Sequence, residues 1–220
     1  QTMPTAILFD LDGTLVDSRA DLATGANLMR ADHGLAPLPV AQIVSYVGNG
    51  IRKLVERTLA DRPELDVTAG VSAMKRHYLA HLLDETRAYP RVGACLARLA
   101  KAGILLGVVT NKPEEPARRI CEALDLAQFL PVIVGGDTCP VLKPSPEPVL
   151  FALGQLGPEA KGIWFVGDNY TDLQAGAAAG MKTCFCRFGF GKTAGEMPDL
   201  AVDSLTEFTD HVLRAETKLD

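Results

Sequence analysis

The sequence predicts an α/β protein: a doubly wound parallel sheet, a Rossmann-like core, with an α-helical block inserted after its first strand. Three observations carry that expectation. Short apolar runs recur along the chain and each ends in a polar cluster, as expected of strands buried on both faces. From about Gly93 onward these runs alternate with helical segments, the βαβα pattern of a parallel sheet covered on both sides. Between Val16 and Ala88 no strong strand signal is present and helical spacing dominates.

The first run, Ala6-Ile7-Leu8-Phe9, leads into Asp10-Leu11-Asp12-Gly13-Thr14-Leu15. If the strand continued, a period of two would put Asp10 and Asp12 on one side. Gly13 is expected to break it, so that both acids crowd one pocket mouth. Two carboxylates at the open end of an apolar strand are costly unless a cation or substrate engages them. Next comes the helical block. Leu22, Ala26 and Met29 recur at helical intervals, as do Val71, Met74, Tyr78 and Leu82. Ser18 with Asp21 three residues on resembles a capping box opening the first of these helices.

Three more runs follow. Leu105–Val109 ends in Thr110-Asn111-Lys112, Val132–Gly136 leads towards Lys143-Pro144-Ser145-Pro146, and Ile163–Gly167 ends in Asp168-Asn169-Tyr170-Thr171-Asp172. Helices are expected around Cys95–Ala102, Ala117–Leu124, Val149–Leu156 and Leu173–Ala179, with Pro146 suited to a first helical position. In a parallel sheet the strand C-termini share one edge, so these polar clusters converge with Asp10 and Asp12. The resulting inventory of carboxylates, a hydroxyl, an amide and a lysine suits magnesium-dependent phosphoryl transfer.

These four segments, in this order, resemble the motifs of the haloacid dehalogenase superfamily of phosphohydrolases and span its catalytic core. Within it, DLDGTLVDS, the segment Tyr46-Val47-Gly48-Asn49-Gly50 and Leu54-Val55-Glu56-Arg57 resemble the phosphoglycolate phosphatase branch. Tyr89-Pro90-Arg91-Val92 departs from that branch's usual Tyr-Pro-Gly-Val. The resemblance implies a core domain of residues 1–15 and 89–220 and an α-helical cap, or lid, of residues 16–88. Val16–Ser18 and Thr86–Pro90 are the expected hinges of a lid that closes over substrate and excludes water.

Each candidate site residue has an expected task. Asp10 is the nucleophile, forming an aspartyl-phosphate. Asp12, flanked by anionic neighbours, protonates the leaving oxygen and then activates water. Asp12 also argues against dehalogenation, which needs no leaving-group acid. Asp10 and Asp168 suit Mg²⁺, a hard cation that prefers oxygen, and by resemblance the backbone carbonyl of Asp12 completes the protein ligands. Asp172 stands near the metal or behind its ligands, with helix N-capping as the plainer reading. Thr110 and Asn111 bind the phosphoryl group, and Lys143 supplies positive charge to it and to Asp10. Gly48-Asn49-Gly50, before a helix carrying Arg52, is either a substrate-anion seat or an ordinary turn.

Other features are less telling. Gly189–Thr193 ends like a phosphate-binding loop but lacks the required early glycine, and reads as a flexible loop near the site. His77, His81 and Glu85 share a helical face, where a polar stripe is a simpler account than zinc. Cys184 and Cys186 fit core packing on one strand face better than a metal or redox pair.

A chain of 220 residues suits one domain with a modest insertion. With 47% hydrophobic residues it can build a sizeable core. A net charge of −5 argues against nucleic acid or an anionic membrane as partner. Five cysteines without regular spacing, no membrane-span run and no signal-peptide pattern point to the cytoplasm. The polar tail from about Ala215 is expected to fray. The expected enzyme is a monomer or homodimer that hydrolyses a small phosphomonoester with Mg²⁺, 2-phosphoglycolate being favoured. A sugar phosphate or pyrophosphate, phosphonatase or phosphomutase chemistry, and a phosphate-binding regulator with an inactive site are the alternatives. A phosphonatase needs a reactive cap lysine, for which Lys53 and Lys75 are the candidates.

Overall fold

In the computed structural model, residues 3–157 and 162–214 are described; the expected fraying from Ala215 lies outside them. Six strands form a parallel sheet: β1 (Ala6–Phe9), β4 (Leu105–Val109), β5 (Val132–Val134), β6 (Trp164–Gly167), β7 (Lys182–Cys186) and β8 (Leu200–Val202). Their order is β5-β4-β1-β6-β7-β8, and every pairing is parallel. The chain leaves β1 to one side for β4 and β5, then returns to its other side for β6. That reversal is the crevice where open α/β sheets bind ligands.

Alternation along β1 explains why both faces are covered. Ile7 and Phe9 join one apolar cluster with Val92, Leu96, Ile120 and Phe208, whereas Leu8 joins another with Val149, Ala152, Phe165 and Ala175. Helices α5 (Val92–Lys101), α6 (Glu114–Ala123) and α9 (Leu205–Leu213) therefore serve the first face. Helices α7 (Glu147–Leu156) and α8 (Tyr170–Ala178) serve the second. Four of these start two or three residues before the expected points, at Val92, Glu114, Glu147 and Tyr170, because apolar spacing first registers at inward positions inside the opening turn. Pro146 is the N-cap of α7 rather than its first residue.

Between β1 and β4 the chain makes the helical insertion: α1 (Arg19–Asp32), α2 (Val40–Val44), α3 (Ile51–Thr58) and α4 (Val67–Ala80). Its ends are joined by a short antiparallel ribbon, β2 (Val16–Asp17) on β3 (Arg87–Ala88), which lies where only hinges were expected. Two-residue strands are too short to produce a readable alternation. The capping box is also corrected. Ser18 is the N-cap of α1 but makes no side-chain cap bond; its hydroxyl donates to Asp12 at 2.5 Å. Asp21 instead accepts from the Glu85 and Thr86 amides and the Thr86 hydroxyl, at 2.7–3.0 Å, tying the outgoing chain to the returning one. Buried Arg30 cross-links the insertion through Thr58 O, Ala36 O and Asp61.

Arg91, standing where the resembling branch has glycine, caps α5 with φ 65°, the left-handed region that a side chain disfavours. Among the described residues no helix is long and apolar enough to cross a membrane.

Candidate active site

β1 ends at Phe9, and the turn after it is closed by Leu15 N–H donating to Leu11 O at 2.9 Å and Gly13 N–H donating to Val16 O at 2.9 Å. Gly13 has φ 84°, and a Cβ there would run into the Asp168 carboxylate. Glycine thus permits the turn and lets two strand ends approach. Asp10 and Asp12 both line one cleft but have different cationic partners. Lys143 Nζ lies 3.0 Å from Asp10 Oδ1, while Lys112 Nζ lies 2.9 Å from Asp12 Oδ1. The anionic neighbour expected for Asp12 is Asp10, and a lysine and the Ser18 hydroxyl join it there.

Lys143 is buried and donates to Val109 O at 2.6 Å and Asp172 Oδ1 at 2.7 Å. Burial alone would lower its ammonium, but Asp10 and Asp172 outweigh that and hold it above the ordinary lysine value. Asp172 uses its other oxygen to accept the Asn169 N–H at 2.9 Å, closing a capping box at the start of α8. Helix capping, one of the two tasks weighed for it, is met, and the same carboxylate also holds Lys143. Burial and the neighbouring Asp172 push the Asp10 carboxyl up to about 7, against the pull of Lys143. Burial, then Asp10 and Asp172, raise Asp168 well above the usual carboxylate range. Oxygens of Asp10, Asp168 and Asp172 lie within 4.8 Å of one another.

That crowding is the test for a metal. Three buried or nearly buried carboxylates offer hard oxygen donors and carry more negative charge than one lysine offsets, so a small divalent cation fits. Asp12 engages Lys112 and Ser18 through Oδ1 and is not one of the three clustered carboxylates.

Thr110 lines the cleft and its hydroxyl oxygen accepts the Lys112 N–H at 3.1 Å. Asn111 also lines it, but its amide is a cross-link: it donates to Gly48 O and Lys143 O and accepts from Lys143 N–H, each at 2.9 Å. Gly48 and Gly50 border the cleft. A Cβ on Gly48, where φ is 115°, would come within 2.5 Å of the Asn169 amide, so this turn is the contact of insertion with core. Asn49 donates to the Tyr170 hydroxyl at 2.8 Å and does not line the cleft. Arg52 is not brought to the site. Its side chain is 64% exposed and pairs with Glu56, one helical turn away, because its position on α3 faces outward while Leu54 and Val55 face inward.

The model of the haloacid dehalogenase-like hydrolase family matches residues 7–186. The chain belongs to that family. It is 38% identical to a phosphoglycolate phosphatase of Aquifex aeolicus over 196 residues, covering 89% of this chain and 91% of that one. Identity to a phosphoglycolate phosphatase of Neisseria gonorrhoeae is 41% over 191 residues, 84% of this chain and 81% of the other. Among solved structures, a predicted phosphoglycolate phosphatase from Haemophilus somnus superposes with a TM-score of 0.87 at 30% identity, covering 98% of this chain and 99% of that one.

In this hydrolase several site residues had no clear signal in the sequence. Lys112 contacts both Asp12 and the Tyr78 hydroxyl, the latter at 2.6 Å. Burial would lower its ammonium, yet Asp12 and Tyr78 raise it above the ordinary value. Thr14 donates to Asp168 at 3.2 Å. The loop expected to be flexible is a cradle: the Phe190 and Gly191 amides donate to Asp168 Oδ2 at 3.0 and 2.8 Å. Its glycines were legible, but not the partner that requires them.

The features set aside in the haloacid dehalogenase-like sequence have ordinary explanations. His77 pairs with Asp32 and His81 with Asp84 on the surface. Cys184 and Cys186 are free and buried on β7.

Proposed function

We propose that this hydrolase is a Mg²⁺-dependent phosphatase that cleaves a small phosphomonoester through an aspartyl-phosphate on Asp10, with 2-phosphoglycolate as the favoured substrate. The observation that carries the reading is the pairing of Asp10 with Lys143 at 3.0 Å beside the oxygens of Asp168 and Asp172. Phosphoglycolate as substrate is supported by the relatives at 38–41% identity, which are phosphoglycolate phosphatases.

Asp10 attacks phosphorus, forming the new P–O bond as the ester bond breaks. Asp12 gives its proton to the departing oxygen, then takes one from the water that cleaves the acyl-phosphate, and both carboxylates are restored. Thr110 donates its hydroxyl to the transferring group, and Lys143 offsets charge on it and on Asp10. Asp172 holds Lys143 in place, and Asn111 braces the loop carrying it. Mg²⁺, held by Asp10, Asp168 and the Asp12 carbonyl, would supply charge neutralisation and orientation of the phosphoryl oxygens.

Residues 16–88 act as a lid on the core of residues 1–15 and 89–220. Contacts from Asn111 to Gly48 and from Asn49 to Tyr170 are consistent with a closed position. A phosphonatase reading is disfavoured, because Lys53 pairs with Glu56 on the surface and Lys75 is exposed.

Phosphate release from p-nitrophenyl phosphate and from 2-phosphoglycolate, with and without Mg²⁺, tests this reading. Metal-dependent turnover of both, with phosphoglycolate preferred, is expected. No turnover of any phosphomonoester overturns the phosphatase assignment. A preference for a bulky sugar phosphate overturns the substrate alone.

A further inference from the structure

The reaction outlined above gives no task to the second buried lysine of the cleft. Among the described residues lining it, Lys112 and Lys143 carry the positive charges, and Lys143 is committed to Asp10 and Asp172. The Lys112 side chain is only 4% exposed. Its ammonium has three N–H donors. Asp12 at 2.9 Å and the Tyr78 hydroxyl at 2.6 Å account for two of them. The Tyr78 ring lies beneath, 4.5 Å from Nζ to its centroid.

Apart from Tyr78, the side chains that the insertion contributes to the cleft are apolar. Leu22, Val47, Ile51, Leu54 and Met74 of the insertion line the cleft. The insertion's nearby cations are turned elsewhere: Arg52 and Lys53 pair with Glu56, and Arg57 donates to Tyr46 O and Asn49. An anionic group on the substrate, beyond the phosphoryl itself, therefore has Lys112 as its counter-charge. Lys112 stands two residues after Thr110, and its own N–H holds the Thr110 hydroxyl at 3.1 Å. The two anion positions are thus rigidly linked and close together. One remaining N–H on an apolar wall suits a carboxylate better than a second phosphate, whose three oxygens call for several donors.

We propose that Lys112 is a specificity-determining residue that receives a carboxylate carried one or two atoms from the ester oxygen of a small phosphomonoester. Tyr78, from α4 of the insertion, is its positioning residue, so the seat is complete only when insertion and core are docked. The proposal rests on the phosphatase reading and names the substrate class of that same site.

The test compares kcat/KM, with Mg²⁺, for 2-phosphoglycolate and for 2-hydroxyethyl phosphate, in which a CH₂OH replaces the carboxylate. The wild-type enzyme is expected to favour phosphoglycolate at least about tenfold, the size of one charge-assisted contact. Lys112→Met is expected to reduce that ratio about tenfold or more, chiefly through KM for phosphoglycolate, beyond any loss on both substrates caused by its contact with Asp12. Lys112→Arg, which keeps the charge, is expected to retain part of the preference. Tyr78→Phe removes only the oxygen that holds the ammonium and is expected to lower the ratio about threefold. This variant carries the test if Lys112→Met does not fold. Equal losses on both substrates in the variants, or a wild-type enzyme that turns over both equally, would overturn the assignment of Lys112 and leave the phosphatase reading standing. Turnover of neither ester by the wild-type enzyme overturns the phosphatase reading, and the seat with it.

Discussion

Lys143 Nζ lies 2.7 Å from Asp172 Oδ1, and the two side chains are 1% and 0% exposed. This pair links the loop after β5 to the start of α8 and sets where the ammonium meets Asp10. Losing Asp172 removes the cap bond to Asn169 and one of the two carboxylates paired with Lys143, while Asp10 stays as the partner of the ammonium, so the expected cost is that of a lost cap, about 0.5–2 kcal/mol. Asp172→Ala is expected to lower stability by that order in urea unfolding and to reduce kcat at least tenfold. A destabilised variant with full activity would show that Asp172 only caps its helix.

Asp10→Asn is expected to abolish turnover with the fold retained, because an amide is nearly isosteric with the carboxylate but cannot form the acyl-phosphate. Circular dichroism and a phosphate-release assay check both halves. A folded variant with full activity would remove Asp10 from the role of nucleophile.

The same variant isolates a pH effect. Folding raises the Asp10 carboxyl from 3.8 to about 7, through burial first and Asp172 second. An acid raised by folding contributes its full stability below the unfolded value and loses it as pH climbs through the folded one. In chelator, the melting temperature of the wild-type protein relative to Asp10→Asn is therefore expected to fall between about pH 4 and pH 7. Mg²⁺ is expected to restore it, with a larger gain at pH 8 than at pH 5. A gain independent of pH would contradict the assignment of Asp10 to the metal.

Arg52→Ala is expected to change kcat/KM less than about twofold on either a carboxylate-bearing or a neutral ester, since an exposed i,i+4 pair contributes little. A selective loss on phosphoglycolate would show that α3 turns Arg52 into the cleft during turnover.

Arg91→Gly is expected to stabilise the protein by up to about 1 kcal/mol in denaturant unfolding, with activity unchanged. Relief of the left-handed backbone at φ 65° outweighs the added freedom of glycine in the unfolded chain. A destabilised variant would show that the Arg91 side chain carries a compensating contact.

The core of the molecule could be read directly from the chain, because its signals are local. Ala6–Phe9, Leu105–Val109 and Trp164–Gly167 are continuous apolar runs, and parallel strands buried on both faces leave no other pattern. Asp10, Thr110 and Asp168 follow from those runs, since a parallel sheet brings its C-terminal ends to one edge whatever the loops do. Lys143, which follows β5 by a longer loop, carried its signal in the motif around it. What only the tertiary structure decided is where side chains on different elements meet. Ser18 has the local look of a helix cap, yet its hydroxyl turns to Asp12, a partner created by the fold of the turn after β1. Arg52 and Lys112 are both cations beside glycine- or proline-bearing turns. One faces water and the other is buried against Tyr78 because helix phase and the docking of α4 on the core set their directions, and neither is encoded within a few residues of the lysine or arginine. Local sequence determines the element and the edge a residue occupies; burial and charge pairing depend on residues far along the chain, and only packing brings them together.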